Sequence, residues 1–239
     1  DDESFGMGGT LALYAARGAD VHLICATRGE AGASEAGHLE GFSSVAEMRE
    51  AELRCAAGIL GLKQVHFLEY RDSGMPGSPD NNHPEAQIMH PLDEVADRVV
   101  QIMRALKPDL VLTFAPIGGY RHPDHIHIQQ ATTLAFERAG DAGYHPELGL
   151  PHAPGALYYH TISKDFLKAA VLVLRLIGKD PQRFGRNGDI DLAMIASQDF
   201  PVHARINIRS AIEKKDQASA CHHSQGGGMR RNGLLGWLR

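Results

Sequence analysis

Two separated groups of side chains have the types and spacing that metal-assisted hydrolysis requires. Asp1-Asp2-Glu3 opens the chain, and His122-Pro123-Asp124-His125 stands far downstream. His122 and His125 are three residues apart, and the proline between them suits the first turn of a helix, where its missing N–H costs nothing. Both rings can therefore face one site. A histidine with one or two carboxylates is a common hydrolytic donor set, and Zn²⁺ with three protein ligands keeps a place open for water and substrate. A metal held this way brings the pKa of its water to about 7 and polarises a carbonyl. A neighbouring carboxylate can then take the water's proton. Each piece alone has a plainer explanation: an acidic chain start is ordinary solvated charge, and two of 14 histidines are ordinary surface or capping residues. Gly6-Met7-Gly8-Gly9 imitates a dinucleotide loop, but Leu11 occupies the third glycine position of that fingerprint.

These residues need elements to hold them. Glycines at 6, 8 and 9 lead into a helix-forming run over Thr10–Arg17, and Val21–Ala26 reads as a short buried strand. The alternation repeats with helices over Val45–Leu60 and Leu92–Leu106 and strands at Val65–Leu68 and Leu110–Phe114. In the helix from Leu92, the residues Val95, Val99, Ile102, Met103 and Leu106 form one apolar stripe. This pattern predicts an α/β fold with a mostly parallel, Rossmann-like sheet flanked by helices, as one domain over residues 1–239. Ligands of such sheets sit beyond the carboxyl ends of the strands. The loops there are Thr27–Glu30, Tyr70–Gly74 and Ala115–His125, and they are expected to line one pocket with the acidic N-terminus. The second half predicts a strand at Ala156–Thr161, an apolar helix at Phe166–Ile177, a loop over Gly178–Asp189, a helix at Ser210–Cys221 and a Gly-rich tail.

Composition narrows the class. A net charge of −5 with dispersed Lys and Arg, apart from Arg230-Arg231, gives no footprint for nucleic acid. The longest apolar stretch is interrupted by Lys168 and Arg175 and falls short of the roughly 20 residues a bilayer needs, so no membrane span is expected. Cys25, Cys55 and Cys221 are too widely spaced for a zinc knuckle or a disulfide framework; they read as core thiols in a cytoplasmic protein.

In combination the motifs carry a resemblance. Asp1-Asp2-Glu3, Gly8-Gly9-Thr10, Thr27-Arg28-Gly29-Glu30 and His122-Pro123-Asp124-His125, in this order, resemble the zinc-dependent de-N-acetylases of the PIG-L/LmbE type. Arg49 with Glu52-Leu53, Tyr70 through Met75, Tyr120, and Lys215 through His222-x-Ser224-Gln225 are similar in particular to the deacetylase and amidase branch of mycothiol metabolism. The resemblance implies roles. Asp1 corresponds to the catalytic base, Asp2 and His125 to zinc ligands, and His122 to a histidine beside the substrate carbonyl. Tyr120 would assist as a hydroxyl donor and Asp124 would orient a histidine. Arg49 and Asp72 match positions that bind the sugar, and His222 one close to the reacting group. The family's first motif is His-Pro-Asp-Asp-Glu; its histidine, a further ligand, and the strand before it are expected to precede Asp1 in the natural protein.

The implied activity is removal of an N-acetyl group from a GlcNAc-type sugar conjugate, for example a GlcNAc-inositol, with one Zn²⁺ per chain. Either Asp1 or His122 could protonate the leaving amine. A homo-oligomer is left open. The alternatives are a non-catalytic sugar- or nucleotide-binding module on the same scaffold and an amidase acting on a thiol conjugate.

Overall fold

A computed structural model describes residues 1–32, 36–184, 188 and 190–227. The Arg230-Arg231 pair, most of the Gly-rich tail and part of the 178–189 loop lie outside the described residues. In chain order the elements are a π-helical turn at Glu3–Met7, α1 (Gly8–Ala16), β1 (His22–Thr27), α2 (Val45–Leu60), β2 (Gln64–Tyr70), α3 (Leu92–Leu106), β3 (Leu110–Phe114), α4 (Gly118–Arg121), α5 (Pro123–Arg138), β4 (Ala156–His160), α6 (Lys164–Leu176), α7 (Leu192–Ser197) and α8 (Ile212–Cys221). The expected strands and long helices form, most of them with ends shifted by one or two residues. The chain divides into two compact units, one of Asp1–Asp72 with the segment from Ala204 onward, the other of Ser73–His203.

In the first unit β1 and β2 pair in parallel from His22↔Gln64 to Cys25↔Phe67, and the register then shifts so that Thr27 meets Tyr70. The shift coincides with Glu69 in the left-handed region at φ 62°, a bulge of the kind that re-aims side chains next to sites. Ser44 caps α2 by accepting from the Glu47 amide, and Gly61 at φ 77° ends it. The buried side of α2 presents Met48, Leu53, Ala56 and Leu60. Here α8 returns to pack on α1 and α2.

Cys55 and Cys221 are joined in a disulfide that ties α2 to the end of α8, their Cα atoms 5.9 Å apart. This corrects the expectation of three thiols: 166 residues separate the pair in sequence, and only tertiary packing brings them together. Cys25 keeps its thiol, and burial pushes its pKa up to about 12.

In the second unit β3 and β4 pair in parallel, Leu110 opposite Ala156 through Phe114 opposite His160. The fold class is thus α/β with parallel strand pairs, one in each unit. On α3 the face Val95, Ala96, Val99, Val100 and Met103 is buried, and α3 packs on α5. Arg104 extends this face. It is 2% exposed and donates to the carbonyls of Ala139, Asp141, Tyr144 and His145 at 2.8 to 3.1 Å, knitting the turn after α5. Among the described residues no helix is long and apolar enough to cross a membrane.

Candidate active site

The first unit carries the acidic motif. The backbone carbonyl of Asp1 accepts from the amides of Ser4 (3.0 Å) and Phe5 (2.9 Å), closing residues 1–5 into a turn that continues as α1. Asp2 stands at the start of the π-helical turn, partly exposed, while Glu3 is buried. The Glu3 carboxylate accepts from Ser4 Oγ (2.6 Å), and its Oε1 lies 2.7 Å from Nε2 of the buried His222. Burial pushes the Glu3 carboxyl up, while the hydrogen bonds from His222 and Ser4 pull it down. Sequence reasoning gave Glu3 no role of its own; its carboxylate is the anchor of the turn.

Two loops of the same unit leave the carboxyl ends of β1 and β2. Arg28 staples this region by donating from Nε to Glu50 on α2 (2.6 Å) and from its terminal nitrogens to Glu69 at the β2 bulge (2.8 Å), with its guanidinium 4.4 Å from the Phe67 ring centre. Gly29 sits at φ 73° and Arg49 lies across it: a Cβ there would fall 2.0 Å from the Arg49 guanidinium. Gly32 is covered by the same group. Arg49 Nε is buried with no hydrogen-bond acceptor among the described residues. Glu30 accepts from the backbone amide of Asp72 (3.0 Å), fixing the approach to that buried carboxylate. Glu30 was missed as a holder of Asp72, since a side chain to backbone bond across 42 residues leaves no pattern in sequence.

The second unit carries the histidines. Pro123 is the first residue of α5, as its ring favours, and His122 is the N-cap, its Nδ1 accepting from the Asp124 amide at 3.2 Å. That bond puts the proton of the neutral His122 ring on Nε2. His125 Nδ1 lies 3.3 Å from the carbonyl of Gly118, so it donates there, and Nε2 carries the lone pair. A carbonyl fixing the tautomer of a histidine in this way is the usual support of a metal ligand.

The His125 ring stacks on Phe114 (4.2 Å between centres), lies 4.8 Å from His122, and meets the edge of Tyr120 at 5.0 Å. Arg121, at φ 70°, turns the chain sharply between Tyr120 and His122. Asp124 is buried and accepts from the amide (2.9 Å) and hydroxyl of Ser73, and that hydroxyl accepts from the Ile88 amide (3.2 Å). The structure thus shows Asp124 bonded to the Ser73 loop, a partner that sequence reasoning missed. Tyr120, His122, Asp124 and His125 form one cluster in this unit; Asp1, Asp2, Arg49, Asp72 and His222 belong to the other.

Residues 1–136 match the PIG-L family, described as GlcNAc-PI de-N-acetylase. The chain belongs to the PIG-L family. One relative, the 1D-myo-inositol 2-acetamido-2-deoxy-alpha-D-glucopyranoside deacetylase of Rhodococcus erythropolis (strain PR4), is 35% identical over 94% of this chain and 78% of its own. Among solved structures, the conserved protein TT1542 of Thermus thermophilus has a TM-score of 0.60 at 22% identity, covering 93% of this chain and 74% of that one. The 4-carboxy-2-hydroxymuconate hydratase of Pseudomonas putida has a TM-score of 0.59 at 22% identity, covering 94% and 75%. A hydratase on the same fold shows that the PIG-L scaffold alone does not decide the reaction. The donors at the site must do so, and the imidazole nitrogen of His125 is of a type Zn²⁺ takes.

Proposed function

We propose that this chain hydrolyses the N-acetyl amide of a GlcNAc-inositol type conjugate, with Zn²⁺ as its metal, yielding acetate and the free amino sugar. The observation that carries the reading is the pair of rings at the start of α5. They are held in complementary tautomers, His125 with a lone pair on Nε2 and His122 with a proton there. One suits a metal and the other a developing oxyanion. Family membership and the substrate named for the Rhodococcus relative support the choice of an acetyl amino sugar.

When bound, Zn²⁺ would be held by Asp2 and His125, and it supplies Lewis acidity toward the acetyl carbonyl and the attacking water. Asp1 takes the proton of that water. His122 Nε2–H and the Tyr120 hydroxyl donate to the oxygen of the former carbonyl as it gains charge. The C–N bond then breaks and the amine leaves with a proton from Asp1 or His122. Asp124 supports this by holding the start of α5 through Ser73. Arg49 and Asp72 are assigned to the sugar, and the orphan Nε of Arg49 favours that role, because a buried donor without an acceptor is rare unless a ligand completes it. On this reading the protein is one Rossmann-like domain, placed in the cytoplasm.

The test is acetate release by the natural full-length protein from a panel of N-acetyl sugars and thiol-conjugate amides, with zinc measured in the same preparation. About one zinc per chain, release from GlcNAc-inositol and loss of activity to a chelator are expected. Metal-free protein that binds sugar without cleaving it would favour a binding module instead.

A further inference from the structure

The C-terminal segment of the first unit is tied down more heavily than a helix end requires. The disulfide fixes Cys221 to Cys55 on α2. One turn earlier on α2, the Glu52 carboxylate accepts from both the amide and the hydroxyl of Ser224, each at 2.7 Å. Upstream, Ile208 lies so close over Gly9 that a Cβ there would meet Ile208 Cδ1 at 2.5 Å. Between the two ties stands His222, its side chain 3% exposed, with Nε2 engaged by Glu3 and the Phe5 ring edge-on at 5.9 Å. Through Glu3 the segment reaches the turn that carries Asp1 and Asp2, and that turn is closed by the Asp1 carbonyl.

We propose that His222 is a positioning residue. It acts through Glu3 to fix the orientation of Asp1 and Asp2, and Glu52 with Ser224 and the Cys55–Cys221 bond are the anchors that hold it there. A ring buried on all sides with one nitrogen spent on a buried carboxylate is poorly placed to contact substrate. It is well placed to stop the acidic turn from rotating. The inference rests on the reading that Asp1 and Asp2 are base and ligand.

The experiment compares Glu3→Ala, His222→Ala, His222→Gln and the Glu3→Ala/His222→Ala double variant in the full-length enzyme. The readouts are kcat and KM for acetate release from a GlcNAc-inositol conjugate and, separately, zinc affinity in competition with a chelator. Loss of an outer partner should lower kcat and zinc affinity of His222→Ala by about 10- to 100-fold with KM little changed. His222→Gln, whose amide N–H reaches where Nε2–H did, should recover most of both. The double variant should be no worse than Glu3→Ala alone, because coupled residues do not add.

Overturning results are additive losses in the double variant, or a His222→Gln as inactive as His222→Ala while both keep wild-type zinc affinity; the ring would then act on substrate. Should His222→Ala not fold, His222→Gln against wild type decides: retained kcat and zinc affinity support the proposal, and loss of kcat alone overturns it. If the wild type releases no acetate from any N-acetyl sugar, the functional reading fails, while the zinc arm still tests the positioning.

Discussion

At the residue scale His122 and His125 differ by one bond each. His122 gives its Nδ1 to cap α5 and His125 gives its Nδ1–H to Gly118, so identical side chains use the same ring atom in opposite senses, as the proposed roles require. Replacing His122 by Gln should keep a cap acceptor or a donor, but not both in one place. We predict a fall in kcat of about 10²-fold or more with KM little changed, the usual cost of one lost oxyanion donor; steady-state kinetics with an N-acetyl sugar checks it. Asp1→Ala should abolish turnover while the thermal midpoint stays near wild type, since Asp1 is exposed and its backbone carbonyl, not its carboxylate, closes the turn.

At the element scale, the loops after β1 and β2 are built by carboxylates and glycines around two cations. Gly29 illustrates how much was readable. Thr27-Arg28-Gly29-Glu30 stood out as a loop beyond a strand end, and the strand, the loop and its facing helix all formed. Period and punctuation carry that information locally. What Gly29 is for was not legible, because the Arg49 guanidinium that fills its missing side chain comes from a different element. The same holds for Glu30 with Asp72, Ser73 with Asp124 and Glu52 with Ser224, all bonds between residues far apart in sequence. Gly29→Ala should both strain the backbone at φ 73° and push Arg49 aside. Forcing a side chain into this conformation costs on the order of 1–3 kcal/mol. The expected outcome is a lower thermal midpoint and a KM raised by about tenfold, the equivalent of about 1.4 kcal/mol of lost sugar contact. An unchanged KM would remove Arg49 from the sugar site.

At the scale of the whole molecule, the covalent tie between α2 and α8 changes how the chain's ends are understood. Wide cysteine spacing reads as core thiols and is compatible with a reducing compartment, yet two of the three sulfurs are paired across 166 residues. Composition could not show this, since spacing reports only local knuckles and frameworks. A closed loop of this length restricts the unfolded chain, and such bridges typically contribute about 2–4 kcal/mol. The Cys55→Ser/Cys221→Ser protein should therefore melt several degrees lower and, with His222 next to one sulfur, lose kcat more than KM. Purified without reductant and denatured, the wild type should take up one alkyl group, on Cys25, and after reduction three; in the native state at pH 8 Cys25 should react slowly, as a thiol with a pKa near 12 stays protonated. In a reducing cytoplasm the pair would be two thiols, so labelling cells before lysis separates the alternatives. Three groups taken up after rapid denaturation would mean that the bond forms only on isolation, and that α8 rests there on Glu52 and packing alone.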